Sequence, residues 1–538
     1  MATEDRTDTD SGRPRDHAIG SFSDDPPWTI DRDELAWLPP LRVARQVVRS
    51  DLPRLTRSTF LPPAKRVTTV TRHLGWAMGR WAIGARRKGG TTSRADVSRR
   101  LRIAAEALGP TYIKLAQIIS GGEGLFPEEL VAETKKCRDQ VPPVPWESVR
   151  QVVEEDLGRP IPELFRHFDQ TPLASASIAQ VHRATLRTGE DVVVKVQRPT
   201  VATLVRQDLR VMAWIAPKLV GRIPISALAN PPALVELFAE TISEELDFRL
   251  EAENMLDVAE SFAKLDQRDY VIPRPHPTLV TRRVLVMERL DGFKFDDVAG
   301  MKDAGVDTEK VVRTGMIGFM EGAFIHGIFH GDLHGGNLFV MADGRTALLD
   351  FGITGRLDDF KRTALLRVLM SGTSNDPKGQ LAAFRDLGAL PMDTDLDAVV
   401  KDLGLDTGEV FDPTQMEAEA LVEEIQKTVK ALLGYGARMP KELMLFVKNL
   451  MFVDGAIATL APDLDILSEI ANITMYFATQ HGDTIAQQLG LGEDDWQLDM
   501  EGVKAGFGLG DDVERLTYRD LQERRETIRK RFEGRKMT

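Results

Sequence analysis

The chain has 538 residues, 42% of them apolar, with 43 Gly, 29 Pro and a net charge of −13. That is enough for a large core and, at usual domain sizes, roughly three domains; it excludes collagen-like, coiled-coil and wholly disordered chains. Cys137 is the single cysteine, so neither an intramolecular disulfide nor a cysteine-rich metal site can form. The acidic balance argues against a general nucleic-acid binder, so no nucleic acid is expected among the partners.

Residues 1–40 are acidic, rich in Ser, Thr, Asp and Pro, and lack apolar periodicity, which predicts a disordered tail. They show no basic segment followed by an apolar one, so no secretory signal is expected. No run of about 18 apolar residues free of charge suggests a transmembrane helix. The expectation is a cytoplasmic protein, or one held peripherally on the inner face of the membrane.

Residues 41–105 make a basic arm. Between Leu41 and Arg102 there are 16 Lys and Arg against Asp51 and Asp96, a net +14 that leaves −27 for the remainder. Such asymmetry points to an anionic partner, either a membrane surface or lipid, or the acidic body of the same protein. Val67, Val70, Leu74, Met78, Trp81 and Ala85 recur at helical spacing. Arg66, Arg72, Arg80 and Arg86 lie away from that stripe, with Trp76 and Ile83 on the opposite face. An interfacial helix and an ordinary helix packed on the domain fit the pattern equally.

In the extension 106–164, a short helix opens at Gly109-Pro110 and ends at Ser120-Gly121-Gly122, with Pro near its start and Gly past its end. Lys114 and Gln117 are three apart on it and share a face. Residues 165–292 contain β-branched runs at 191–196 and 284–287, separated by a long helical stretch. Residues 293–480 are mainly helical, apart from short strand-like pieces at 337–340 and 346–349. The tail 481–538 interleaves Arg and Glu from Val513 onward and reads as a solvated helix.

The chemistry concentrates at His330-Gly331-Asp332-Leu333-His334-Gly335-Gly336-Asn337 and, 13 residues after Asn337, at Asp350-Phe351-Gly352. Phosphoryl transfer needs a carboxylate at the acceptor hydroxyl and oxygen ligands for Mg²⁺ beside the phosphates. Asp332 fits the first role; Asn337 and Asp350 fit the second, in protein-kinase order. Upstream, Lys195 in Val192-Val193-Val194-Lys195-Val196 suits a lysine that grips phosphates of ATP or ADP. Where a Gly-rich phosphate loop belongs, the chain reads Ala174-Ser175-Ala176-Ser177-Ile178-Ala179-Gln180-Val181, with alanine at every glycine position. Alanine disfavours positive φ and crowds the phosphates, so this loop should cover nucleotide in a different geometry.

The alanine loop, the helix carrying Glu245, Asp247 and Glu251, and Lys114-Leu115-Ala116-Gln117 together resemble the UbiB/AarF (ADCK-type) atypical protein-kinase-like family over about 105–460. The resemblance implies an α+β, bilobal protein-kinase-like fold. It would have a small β-containing N-lobe, a mainly α C-lobe and a helical N-terminal extension. Lys114 and Gln117 match the family's KxGQ motif, and Glu245 and Asp247 its ExD motif. Lys195 and Glu251 match its ion pair, Asp332 its catalytic position, and Asn337 and Asp350 its metal positions. Met287 and Glu288 would meet adenine. Further implications are a lid in which Lys114 reaches the Glu245/Asp247 pair, ATP or ADP with Mg²⁺ as cofactors, and a role in isoprenoid-quinone or other lipid metabolism. Ala116 departs from the motif glycine, and HGDLHGGN from the usual HADPHPGN. A small-molecule kinase of the aminoglycoside-phosphotransferase type and a nucleotide-gated lipid-binding pseudokinase stay open, as does a homodimer.

Overall fold

The computed structural model describes residues 31–534 apart from 42, 44–49, 51–52, 58–63, 85–89, 121–125, 138–140, 220–230, 266, 374–375, 406–430, 433, 438–439, 491–503 and 505–512. The expected disorder of 1–30, the stripe position Ala85, Arg86 and the helix-ending Gly121-Gly122 lie outside the described residues. Two compact units divide the chain: Met1–Asp291 with Ala347–Ile353, and Gly292–Thr346 with Thr354–Thr538. The protein is α+β.

The first unit is built on an antiparallel sheet of β1 (Phe165–Phe168), β2 (Ala174–Ser175), β3 (Ala179–Leu186), β4 (Asp191–Gln197), β5 (Pro275–Val280) and β6 (Val284–Glu288). Its order is β1-β3-β4-β6-β5, with β2 on β3. Side chains alternate along a strand, so in β4 the valines 192, 194 and 196 face one way and Lys195 the other. The valine face forms a core with Val149, Val152 and Val153 from the helix Trp146–Leu157. Lys195 is thereby turned to the side where the site is assembled.

Five helices of this unit bear on the site. They are α1 (Ala64–Ile83), α2 (Gly90–Leu108), α3 (Pro110–Ser120) and, after the Trp146–Leu157 helix and Val201–Leu219, the pair α4 (Pro231–Glu245) and α5 (Phe248–Lys264) in tandem. Gly109, at φ +98°, makes the break between α2 and α3 that a side chain would resist.

The basic arm is part of this unit's core. Val70 and Trp81 are buried, and Trp81 packs with Met78, Val97 and Leu130. Arg66 forks onto the fully buried Asp208 at 2.5 and 3.0 Å and caps Leu108 O at 2.8 Å. The apolar stripe therefore faces protein, not lipid: a buried carboxylate and a complementary apolar surface were there to receive it. Trp76 and Ile83 remain exposed, at 61% and 84%, with Arg80 over the Trp76 ring.

A second correction concerns 31–40, expected to be disordered. Leu35, Trp37 and Leu41 are buried, Trp37 Nε1 donates to His276 O, and Arg32 pairs with Asp257 and Glu260. Apolar side chains in this short stretch outweigh its polar composition.

The second unit is mainly helical. Its strands are β7 (Phe293–Lys294), β8 (Ile328–His330), β9 (Leu338–Val340) and β10 (Thr354–Arg356); β9 pairs with β7 and β10 with β8. Its principal helices are α6 (Thr308–Glu321), α7 (Lys441–Leu460), α8 (Ile466–Leu489) and α9 (Tyr518–Gly534). Met301, Val312, Val340, Ile457, Leu460 and Tyr518 belong to one core. The C-terminal helix, expected to be solvated, is thus anchored at its start by Tyr518, and Arg525 pairs with Asp454.

Among the described residues α7 is the one helix long and apolar enough to cross a membrane, by length and composition only. Its polar side chains are engaged inside the unit. Lys448 pairs with Asp332, Asn449 bonds the 330–333 backbone, and Phe446 stacks on Phe319 at 5.2 Å. Those contacts make it a core helix of this unit.

Candidate active site

In the first unit, Lys195 Nζ donates to Glu251 Oε1 at 2.8 Å and to Asp350 Oδ1 at 3.1 Å. Glu251 sits in the first turn of α5, where the helix dipole favours a carboxylate. Asp247 caps the same helix, its side chain accepting from Arg249 N. Asp350 adopts φ +57° and its Oδ1 accepts from Gly352 N at 3.3 Å. Asn254, one turn beyond Glu251, donates to Phe351 O at 2.8 Å and ties the Asp-Phe-Gly turn to α5.

Glu245 ends α4, where the dipole disfavours negative charge. It is buried, and Lys114 on α3 meets it, Nζ to Oε1 2.9 Å. A Cβ on Gly352 would come within 3.6 Å of the Glu245 side chain, so the Asp-Phe-Gly turn runs beside this pair. Two cations and three carboxylates thus alternate in one cluster. Burial opposes the charge on Lys195, but Asp350 and then Glu251 overcome it and hold the ammonium above its usual range. Burial pushes the Glu251 carboxyl up to about 7; Lys195 opposes this, while Asp350 and Glu245 add to it.

Asp247 does not share Lys114 with Glu245, as the resemblance implied. Its carboxylate forks onto Arg249 at 2.9 and 2.6 Å. A guanidinium two residues away offers two parallel bonds at little entropic cost. Gln117 lies half-buried one turn beyond Lys114, and Ala116 is buried with Ile113 and Cys137, a packed position where a small side chain fits.

The alanine loop is the turn between β2 and β3. Ala174 pairs with Val181, Val181 with Lys195, and Ala179 with Gln197. Ala176 N donates to Ala179 O at 2.9 Å, and Ser177 is buried. Among the described residues the only non-glycine positions with positive φ are Thr200 and Asp350, so the loop closes without the left-handed backbone that glycine would supply. Arg198 holds it instead. Its guanidinium donates to Ala176 O (2.8 Å), Ser175 Oγ (2.7 Å), Pro142 O (3.0 Å) and Val141 O (3.2 Å). Met287 and Glu288 end β6, paired with Val193 and Val192.

In the second unit, the catalytic-type loop follows β8. His330 Nδ1 accepts from Asp332 N at 3.1 Å, and Asn337 Nδ2 donates to Asp332 O at 3.0 Å. His334 Nδ1 accepts from Gly336 N at 3.0 Å. Lys448 Nζ donates to Asp332 Oδ1, and Asn449 accepts from Leu333 N at 3.3 Å and donates to His330 O.

Residues 136–383 match the ABC1 atypical kinase-like domain. The chain is 32% identical over 419 residues to a probable protein kinase UbiB of Marinobacter nauticus, covering 77% of this chain and 75% of that protein. The chain belongs to the ABC1 (UbiB/AarF) atypical kinase-like family. An uncharacterised protein of Mycobacterium tuberculosis is 36% identical over 379 residues, 69% of this chain and 76% of the relative. An uncharacterised chloroplastic aarF domain-containing protein kinase of Arabidopsis thaliana is 34% identical over 397 residues, 69% and 73% respectively.

For a member of the ABC1 family, each unit taken by itself carries an oxygen donor of the kind a nucleotide-borne Mg²⁺ takes, Asp350 in the first and Asn337 in the second. That ion characteristically takes one or two carboxylates and completes its shell with water and phosphate oxygens. Asp350 is half-exposed, and the bond of Asn337 to Asp332 O uses only its amide nitrogen. Among the described residues no group of three His, Cys, Asp or Glu forms a self-sufficient cage. Arg198, Lys448, Asn449 and Asn254 escaped the sequence reading. Arg198 alone had a signal within reach, three residues after Lys195.

Proposed function

We propose that this chain binds ATP or ADP with Mg²⁺ and acts as a phosphotransferase or ATPase, with a small or lipid acceptor or water in preference to a protein. The observation that carries this reading is the joining of Lys195 to both Glu251 and Asp350. It poises one ammonium between the helix that orients it and the carboxylate suited to the metal. Lys195 would grip the nucleotide phosphates, the alanine loop would cover them, and Met287 and Glu288 would meet adenine. Asp350 and Asn337 would hold Mg²⁺, which when bound neutralises phosphate charge. Asp332 would take the proton of the attacking hydroxyl as its oxygen bonds the γ-phosphorus and the bond to ADP breaks.

The Lys114 helix supports the acceptor preference. Anchored on Glu245 beside the Asp-Phe-Gly turn, it would stand in the way of a peptide acceptor. A role in isoprenoid-quinone or other lipid metabolism rests on the family resemblance and on α1. That helix keeps Arg72, Trp76, Arg80 and Ile83 exposed, a combination suited to an anionic bilayer surface.

Thermal-shift titration with MgATP tests the nucleotide site. Asp350→Asn and Asn337→Ala should both shrink the Mg²⁺-dependent stabilisation; a wild-type-sized shift in both would reject the assignment. Turnover measured beside it separates an enzyme from a pseudokinase that only binds. Co-sedimentation with anionic liposomes tests the surface. Trp76→Ser with Ile83→Ser should reduce it, salt should weaken it, and equal binding to neutral liposomes would remove the proposal.

A further inference from the structure

The loop His330–Asn337 contains no Lys or Arg, yet phosphoryl transfer gathers negative charge wherever its general base stands. Asp332 has to lie near phosphates of its own sign, on a loop with glycines at 331, 335 and 336. Its histidines are committed locally: His330 to Asp332 N, and His334 to Gly336 N. The loop itself thus brings no lysine or arginine to the carboxylate.

Helix α7, more than a hundred residues further along the chain, brings one. Lys448 Nζ donates to Asp332 Oδ1, with both side chains mostly buried. The adjacent Asn449, wholly buried, accepts from Leu333 N and donates to His330 O, so one amide braces the backbone on each side of Asp332. The helix itself is set against β8 through Phe446, stacked on Phe319 and edge-on to Phe329, the residue before His330. These contacts all lie within the second unit. Ordinary core packing would explain Phe446; it does not explain a buried amide and an ammonium spent on positions 330, 332 and 333 of the loop.

We propose that Lys448 and Asn449 form a positioning pair for the transfer step, acting through Asp332. Lys448 holds the carboxylate through Oδ1 and so sets the direction of the group that receives the acceptor's proton. It also supplies the permanent positive charge the loop lacks. Once Asp332 has taken the proton, the ammonium no longer has a carboxylate to offset, and its charge favours the departing phosphates. Asn449 keeps the carboxylate at a fixed height by holding the backbone that carries it. This inference rests on the phosphotransferase reading above.

The test compares full-length wild type with Lys448→Met, Lys448→Arg and Asn449→Ala. The readouts are MgATP affinity by calorimetry, kcat and KM for ATP turnover, and thermal unfolding. Lys448→Met, which keeps the length of the side chain, should fold and bind MgATP as wild type does. Its kcat should fall on the order of tenfold to a hundredfold, within what a well-placed general base contributes, with KM unchanged. Lys448→Arg should recover much of the loss, because the charge returns. Unchanged or increased kcat in Lys448→Met, or equal losses in the Arg and Met variants, overturns the proposal while leaving the functional reading intact. Absence of turnover in wild type overturns that reading and this inference with it. Asn449→Ala should lower kcat and melting temperature together; if it fails to fold, the Lys448 variants decide.

Discussion

Lys114 Nζ lies 2.9 Å from Glu245 Oε1, and this pair joins the N-terminal extension to the end of the helix that precedes Glu251. Both side chains are largely withdrawn from water, so neither charge is well solvated alone. Removing one partner from such a pair costs about 3–5 kcal/mol, mostly from the charge left behind. Lys114→Ala should therefore destabilise strongly and increase protease cutting in α3. Glu245→Gln combined with Lys114→Ala should cost less than the two single changes summed, with a coupling of about 1–3 kcal/mol in denaturant unfolding. Strict additivity would mean that the two groups do not depend on each other.

Glu251 gives the cluster a pH dependence whose sign can be worked out. Its carboxyl is pushed up to about 7 from an ordinary value of 4.5, so the folded state holds the proton more tightly than the unfolded chain. The stability this contributes is fully present below the unfolded value and is lost as pH rises through about 7. Between about pH 5 and about pH 8, the melting temperature of Glu251→Gln should therefore rise relative to wild type. A difference that stays flat or runs the other way across that range would contradict the burial of this carboxyl.

Arg66 and Asp208 fasten the basic arm. Asp208 is fully buried and burial raises its carboxyl above the ordinary range, with Arg66 opposing. Arg66→Ala should cost about 3 kcal/mol or more, whereas Arg72→Ala, on the exposed side of the same helix, should fall within about ±0.5 kcal/mol. Chemical denaturation of the two variants checks this. Equal effects would mean that the arm is not bolted to the unit through Arg66.

The alanine loop is expected to respond in two ways. Ala176→Gly adds backbone freedom worth about 0.5–1 kcal/mol and should change the ratio of ATP to ADP affinities. Arg198→Ala leaves the Ala176 and Pro142 carbonyls without their arginine donor and should cost about 1–3 kcal/mol with a loss of nucleotide affinity. Calorimetry with both nucleotides measures each. Unchanged affinities in both variants would mean that the loop does not cover the phosphates.

Local patterns were legible in the chain by itself. The Asp332, Asn337 and Asp350 spacing, the strand setting of Lys195, the alanine register against Val181 and the helix bearing Lys114 all lie in short contiguous stretches, where periodicity and residue type carry the information. Likeness to a family extended this to the Lys195–Glu251 and Lys114–Glu245 pairings, across separations that spacing alone could not bridge. Tertiary structure decided the partners. Periodicity marks α1 as amphipathic but cannot say that its apolar stripe meets Val97 and Leu130, with Arg66 on Asp208. Charge alone could not choose between Lys114 and Arg249 for Asp247; the shorter reach and forked geometry of Arg249 did. Lys448 and Asn449 were beyond any local signal, because a polar pair inside an apolar helix acquires meaning only when folding sets it against a loop far back in the chain.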